Sequence, residues 1–193
     1  MNNRIFYKKI ETSKEKPWLT MIHGFSHNHK YFSKQIEEFK KNFNIFLLDL
    51  RGHGKSEIKS GPFGIEEYAD DIFSSLKEAE IARTNYWGTH TGSAIGLVLS
   101  LRYPTLIESL VLEGTFLPGY SMPRVSELLE KAKTIVQKNG VDVAITDWYK
   151  NADWFSYINK YEKCRVTEYE NLKFQGLPWL CETTPKRGNK CCR

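Results

Sequence analysis

The pentapeptide Gly88-Thr89-His90-Thr91-Gly92 constrains the fold of this chain more than any other stretch. A short strand-like run precedes it, and an apolar, helix-like segment follows it at once. Two glycines around a central residue are typical of a sharp turn from a strand into a helix, where the crowded backbone leaves no space for side chains. Such a turn pushes the central side chain into the open, so we expect His90 to be presented at the start of a helix.

Strand-like and helix-like segments alternate between residues 18 and 112. The predicted strands are an edge strand at 5–10, buried strands at 18–22 and 110–112, a nearly all-apolar strand at 43–48 and a brief one at 85–87. The predicted helices are two amphipathic ones at 31–40 and 65–76, and an apolar, buried one at 92–103. This alternation predicts an α/β fold, in which helices cover both faces of a mostly parallel sheet.

Two loops that follow predicted strands add to this pattern. His23-Gly24-Phe25 follows the first buried strand, and residues 49–56, Asp-Leu-Arg-Gly-His-Gly-Lys-Ser, follow the next. The end of the second loop mimics a phosphate-binding loop, but that motif needs a glycine where Asp49 stands. In this order, the two loops and the turn at residues 88–92 resemble the α/β-hydrolase family, over roughly the first two-thirds of the chain.

The resemblance implies an α/β-hydrolase fold with its reactive residue at the turn, where the family usually has a serine and this chain has His90. It also implies an oxyanion hole, formed by the backbone N–H groups of Phe25 and Thr91, that binds the developing negative charge. His23 and Gly24 would then lie beside the substrate. Taken alone, the His23-Gly24 pair also suits an ordinary turn at the end of a strand.

The family's catalytic triad is incomplete in this sequence. In the family the nucleophile is followed by an acid and then by a histidine, yet none of the five histidines, at 23, 27, 29, 53 and 90, follows His90. The base therefore has no counterpart. Glu113, directly after the strand at 110–112, is the candidate acid; the alternative is a surface carboxylate at a strand end. Glu182 is a weaker candidate, and His53 suits a structural role in its loop.

Three roles remain open for His90. It can attack a carbonyl directly, because neutral imidazole is nucleophilic near pH 7 and needs no separate base. It can act as a general base, oriented by Glu113. It can also be inert, on a fold that has lost catalysis. The hydroxyls of Thr89, Thr91 and Ser93 are poor substitutes, since the turn presents only its central side chain.

The chain changes character after residue 117. Helical spacing predicts one helix from Pro123 to a cap at Asn139-Gly140 and a second over residues 141–161, and the pair resembles the helical cap of many α/β-hydrolases. Trp148 and Trp154 are the candidate substrate-binding residues there, although aromatic residues also serve to pack a cap onto a core. The predicted domains are a core at 1–117, a cap at 118–170, and a late core strand with an irregular basic tail at 171–193.

The tail departs from the family pattern. Residues 176–180 look like the start of a strand, but the sequence then becomes polar, basic and patternless and stops early. We interpret this as C-terminal truncation, with a tail read out of frame, which reading the coding DNA in all frames would test. A further interpretation is a fragment that does not fold, because an exposed sheet edge and apolar faces would remain. Oligomerisation would cover them.

Composition excludes several classes of protein. A chain of 193 residues with 40% hydrophobic and 13% aromatic residues is globular rather than disordered. The net charge of +5 comes from dispersed lysines, so we expect no nucleic-acid partner. No apolar run has the length of a signal peptide or a membrane span, which predicts a cytoplasmic protein without a membrane partner.

Neither metal nor cofactor binding is predicted. His23, His27 and His29 lie close together, but no acidic residue or cysteine accompanies them in a known ligand spacing. The four cysteines, at 164, 181, 191 and 192, form no Cys-x-x-Cys and are expected to be reduced. The sequence thus predicts a hydrolase of a small apolar ester or related carbonyl compound. The alternative is a catalytically inactive α/β-hydrolase-like protein that binds a small molecule or a partner.

Overall fold

A mostly parallel sheet forms the centre of the molecule, in a computed structural model that describes residues 4–57, 64–117, 123–151, 155–156 and 160. Its strands are β1 Tyr7–Ile10, β2 Trp18–Ile22, β3 Asn44–Leu48, β4 Thr84–Thr89 and β5 Ile107–Glu113. Their order across the sheet is β1-β3-β2-β4-β5. Only the pairing of β1 with β3 is antiparallel among these strands. The predicted α/β architecture with an edge strand at the N-terminus is confirmed.

Helices cover both faces of the sheet. The α-helices described are α1 Ser33–Phe39, α2 Ile65–Glu78, α3 Thr91–Arg102, α4 Pro123–Asn139 and α5 Val141–Asn151, and the first three of them cover the sheet. Helix α1 packs on one face, and α2 and α3 pack side by side on the other. None of the helices described is both long and apolar enough to cross a membrane.

Strand β3 shows why the apolar runs become central strands. All five of its residues are buried, because successive side chains point to opposite faces and both faces are covered. Ile45 and Leu47 pack with Phe32 on the α1 side. Phe46 and Leu48 pack in the larger cluster beneath α2 and α3. The sheet is therefore a rigid platform, and its parallel strands β2, β3 and β4 end at one common edge.

Several element boundaries differ from the sequence prediction by a few residues, and two of the differences bear on the site. Helix α1 begins at Ser33, because residues His29–Phe32 form a 3-10 turn whose first N–H groups are capped by the Asn28 side chain, 2.9 Å from Lys30 N. Strand β5 includes Glu113 as its last residue, so this glutamate pairs with Thr89 in the sheet instead of following the strand. The prediction that this strand is buried is wrong: β5 lies at the edge of the described sheet, and its residues are half-buried or exposed.

Helices α4 and α5 form a small unit above the strand ends. They pack together through Ala132, Ala144, Trp148 and Tyr149, and this cluster extends to Phe25. The first predicted cap helix is present, and the second is described as far as Asn151. Trp154, the four cysteines and the predicted tail at 171–193 lie outside the described residues.

Candidate functional site

His90 occupies a tight turn between β4 and α3. Its backbone torsion angles, φ 49° and ψ −110°, lie in a region that residues with side chains rarely adopt. The turn is held on both sides: His90 N donates a 2.8 Å hydrogen bond to Glu113 O, and His90 O accepts one of 3.0 Å from Ser93 N. Backbone strain of this kind costs energy and persists only where neighbouring contacts enforce it.

The two glycines of the turn are required by close backbone contacts. A Cβ atom on Gly92 would lie 2.3 Å from Ile22 O, at the end of the neighbouring strand β2. A Cβ atom on Gly88 would lie 2.4 Å from the carbonyl carbon of Gly92. Any larger residue at either position would push α3 away from the sheet and displace the turn that carries His90.

The loop after β2 lies directly against this turn. A Cβ atom on Gly24 would approach His90 Cβ to 3.1 Å and Thr89 O to 3.4 Å, so glycine allows the loop to come this close. The Phe25 ring lies 6.4 Å from the His90 ring, centroid to centroid. Thr91 N is the first N–H of α3, and helix geometry gives such a group no acceptor within the helix.

His23 supports this loop from below. The side chain is fully buried, its Nε2 accepts a 3.0 Å hydrogen bond from Leu50 N, and its Nδ1 lies 2.7 Å from Gly24 O. The proton of the neutral ring is therefore on Nδ1. Burial and the neighbouring His53 lower the pKa of His23 to about 3. Its ring does not line the cavity described below.

His53 holds the next residue of the same loop. Its Nε2 lies 2.7 Å from Phe25 O and its Nδ1 lies 3.1 Å from Arg51 O, and burial lowers its pKa. A neutral ring donates through Nε2 to the nearer carbonyl. Together, His23 and His53 fix the Gly24 and Phe25 carbonyls, and with them the direction of the loop. This is the structural role that the sequence suggested for His53.

A cavity of about 290 Å³ lies between the loop, the turn and the helical unit. The residues that line it are Phe25, Ser26 and His27 from the loop, His90 from the turn, Val125 and Trp148 from α4 and α5, and Phe155. It is mostly apolar, with two imidazoles in its wall, and suits a small ligand. Trp148 lies where the sequence predicted it, whereas Trp154 is outside the described residues.

The His90 ring has one described hydrogen bond, between its Nδ1 and Thr91 Oγ1 at 3.1 Å. His90 is an exposed residue in the wall of the cavity, but nearby groups, including the Phe116 ring at 5.5 Å, replace part of the water around its imidazole. This partial desolvation lowers the pKa of His90 below its usual value of about 6.5. His90 is consequently a neutral imidazole at pH 7, with a lone pair on one ring nitrogen.

His27 is a cavity residue that the sequence did not single out. Its Nδ1 is buried and, among the residues that the structure describes, has no hydrogen-bond partner. Burial, followed by the nearby His90, lowers its pKa to about 3.

The sequence grouped His27 with two other histidines, but His29 turns away and places its Nδ1 2.8 Å from Asp49 Oδ1. Within the described ranges no three His, Cys, Asp or Glu residues are placed to hold a metal.

Glu113 contributes its backbone to the turn, as described above. Its exposed carboxylate accepts a 3.3 Å hydrogen bond from Trp87 Nε1. In the part of the chain that the structure describes, no carboxylate forms a hydrogen bond with the His90 ring. Orientation of His90 by Glu113 would therefore need a change in the side-chain conformation of the glutamate.

A larger cavity, of about 1120 Å³, lies elsewhere on the molecule. It is bordered by β1 and α2 and by residues such as Phe6, Lys55 and Glu78. None of the residues of the turn or of the loop after β2 lines it. Its size alone does not identify a site, and we place the candidate site at the smaller cavity, where the strained turn presents an imidazole.

Comparison with known proteins supports the fold described above. The sequence model of a family described as "alpha/beta hydrolase fold" matches residues 17–157. Two curated relatives come from Acinetobacter baylyi. The chain is 24% identical over 161 residues to (E)-2-((N-methylformamido)methylene)succinate hydrolase, covering 82% of this chain and 59% of that protein. It is 24% identical over 101 residues to 3-oxoadipate enol-lactonase 2, covering 52% of this chain and 38% of that protein.

Among solved structures, the enol-lactonase from Burkholderia xenovorans LB400 superposes with a TM-score of 0.72 at 21% identity. The match covers 91% of this chain and 67% of that one. At this identity the likeness shows a shared fold. The chain spans roughly half the length of the curated relatives that it matches.

Proposed function

Since the chain belongs to the α/β-hydrolase family, we propose that it hydrolyses a small, largely apolar ester or related carbonyl compound, with His90 as the reactive residue. The observation that carries this proposal is the position of the His90 ring, on a strained turn and in the wall of an apolar cavity. The relatives compared above are named as hydrolases and lactonases, which supports the same class of reaction.

The hydrogen bond to Thr91 assigns the two ring nitrogens of His90 in this proposal. If Nδ1–H donates to Thr91 Oγ1, the lone pair is on Nε2. Nε2 then attacks the carbonyl carbon, an N–C bond forms and the carbonyl oxygen takes the negative charge. Collapse of this intermediate breaks the C–O bond. The leaving alkoxide takes a proton from solvent water, and the acylated ring returns the Nδ1 proton to solvent, which leaves the alcohol and a neutral acyl-imidazole. Water hydrolyses the resulting acyl-imidazole and restores His90.

General-base catalysis is the second route open to the same atom. Nε2 would take a proton from a water molecule as that water attacks the carbonyl carbon. Orientation of the ring by Glu113 would help this route, but the carboxylate contacts Trp87 instead. The contacts therefore favour direct attack, which needs no carboxylate partner.

The oxyanion hole in this proposal consists of the backbone N–H groups of Phe25 and Thr91. Two features support it: Gly24 lets the loop that carries Phe25 lie against the turn, and Thr91 N is at the positive end of α3. A donor of this kind stabilises a tetrahedral intermediate by about 3 kcal/mol. Because His23 and His53 fix the loop, this geometry would exist before the substrate binds.

The second candidate function is binding without catalysis. It is favoured by the isolation of the His90 ring, whose described hydrogen bond goes to a hydroxyl instead of a carboxylate. In this case the cavity would hold the same kind of small apolar molecule, and His90 would be one of its hydrogen-bonding groups.

Hydrolysis of p-nitrophenyl butanoate tests the two candidates. We expect turnover by the chain, a loss of about 100-fold or more in His90→Ala, and little change in His29→Asn, which alters a histidine outside the cavity. Binding of 2-heptanone, a small apolar ketone that cannot be hydrolysed, is measured in parallel by tryptophan fluorescence. Binding without any turnover would support the second candidate, and neither binding nor turnover would contradict both.

A further inference from the structure

His27 lines the cavity, and the proposed hydrolysis makes no use of it. The ring is half-buried and packs edge-on against Tyr31 at 4.6 Å. Its Nδ1 is buried without a hydrogen-bond partner in the described part of the chain, so the accessible surface belongs to other atoms of the residue. A buried polar atom without a partner is uncommon in proteins and calls for an explanation.

The burial of Nδ1 indicates which nitrogen carries the proton. A buried N–H without an acceptor is among the rarest arrangements in proteins, whereas an unfilled lone pair is tolerated more often. The neutral ring therefore places its proton on Nε2 and leaves Nδ1 as the unused acceptor. The low pKa keeps the ring neutral throughout the physiological range. His27 thus offers a hydrogen-bond donor.

Gly24 lies between the two histidines of the cavity and lets both side chains approach it closely. The position that a Gly24 Cβ atom would occupy lies 3.3 Å from His27 Nδ1 and 3.1 Å from His90 Cβ. The side chains of His27 and His90 therefore both lie beside Gly24 and both line the cavity, so a ligand that reaches His90 lies close to His27. One wall of the cavity presents a lone pair, from His90, and the neighbouring position presents a donor.

We propose that His27 determines ligand specificity by donating a hydrogen bond from Nε2–H to an acceptor oxygen of the ligand. The cavity would accordingly prefer a carbonyl compound that carries a second acceptor oxygen over one that carries only its ester group. The inference rests on the proposed function in so far as the first carbonyl is placed at His90.

Binding of two matched esters tests the proposal. Ethyl 3-oxobutanoate and ethyl butanoate differ by one ketone oxygen, and His90→Ala serves as the background so that neither is cleaved. Removing the donor with His27→Phe should shift the ratio of the two dissociation constants by about fivefold to tenfold against the keto ester, the value of one hydrogen bond. His27→Gln, which keeps an N–H donor, should retain most of the preference. An unchanged ratio in His27→Phe would overturn the proposal.

A second measurement needs no ligand. Long-range ¹H–¹⁵N correlation spectra of the wild-type chain, with the His27 ring assigned through its NOE contacts to the Tyr31 ring, show which ring nitrogen is protonated. We expect the proton on Nε2, and a proton on Nδ1 would overturn the proposal even if the variants failed to fold. If the ester preference holds but the wild type cleaves no ester, the proposed hydrolysis fails while the role of His27 stands.

Discussion

The hydroxyl of Tyr149 donates a buried hydrogen bond of 2.6 Å to the carbonyl oxygen of Ser26. The bond connects α5 with the loop after β2, across 123 positions of sequence. Ser26 lines the cavity next to His27, and Trp148 lines it next to Tyr149. Together with the packing of the helical unit on Phe25, this bond holds that unit over the site.

Replacing Tyr149 with Phe should lower the free energy of unfolding by about 1–2 kcal/mol, since it removes a buried hydrogen bond and leaves the Ser26 carbonyl unsatisfied. Urea denaturation measures the change. Tyr103→Phe is the matched control, because its exposed hydroxyl lies 3.3 Å from Asp70 and should contribute little. Equal effects of the two substitutions would contradict the role given to Tyr149.

Gly92→Ala should destabilise the chain by about 3 kcal/mol or more, because the new Cβ atom would collide with the backbone of Ile22. Gly114→Ala is the control. Gly114, unlike Gly92, has a positive φ, of 60°, and no atom lies within 4 Å of its Cβ position. That substitution should cost only about 1–2 kcal/mol, from the strained backbone. Thermal or urea unfolding of both variants shows whether a Cβ collision with the backbone or a positive φ costs more free energy of unfolding.

Stability should fall as the pH is lowered from 7 to 5. The unfolded chain takes up protons on histidine near pH 6.5, whereas His23 and His27 stay neutral in the native state until about pH 3. The unfolded state binds more protons in this interval, so each residue removes up to about 1.4 kcal/mol of stability per pH unit. In urea denaturation at several pH values, His27→Gln should show a shallower slope than the wild type. Identical slopes would show that His27 titrates normally.

Thr89→Val should stabilise the chain by about 1 kcal/mol. The Thr89 hydroxyl is buried and has no hydrogen-bond partner in the described residues, so valine of the same shape removes an unsatisfied group. Thr20→Val is the opposite case, because the Thr20 hydroxyl lies 2.9 Å from that of Thr84, and we expect a loss of about 1 kcal/mol. Destabilisation by Thr89→Val would show that this hydroxyl does have a partner.

Much of the fold could be predicted because its signals are local. Strand β3 is apolar after Asn44, α2 has helical spacing, and the glycines around His90 mark the turn. These patterns depend on neighbouring residues alone. They also place His90 at the strand ends, where the structure has it. The 3-10 turn at residues 29–32 could not be predicted in the same way, because the Asn28 cap competes with the helical pattern.

The contacts that shape the site depend on tertiary packing, which the sequence does not show. His53 reaches Phe25 O over 28 residues of sequence. In the sequence His27 looked like one of three clustered histidines. Only the fold shows that His27 lines the cavity while His29 contacts Asp49. Glu113 was a candidate acid from its position along the chain, but the direction of its carboxylate, toward Trp87, follows from the pairing of β4 with β5.

The most direct test of the account is chemical rescue of His90→Gly. Glycine tolerates the positive φ of this turn and leaves a space in the cavity that free imidazole can occupy. We predict that His90→Gly loses hydrolysis of p-nitrophenyl butanoate, and that added imidazole restores it saturably, beyond the rate of imidazole alone. Hydrolysis by His90→Gly at the wild-type rate, without imidazole, would contradict the claim that the His90 ring is the reactive group.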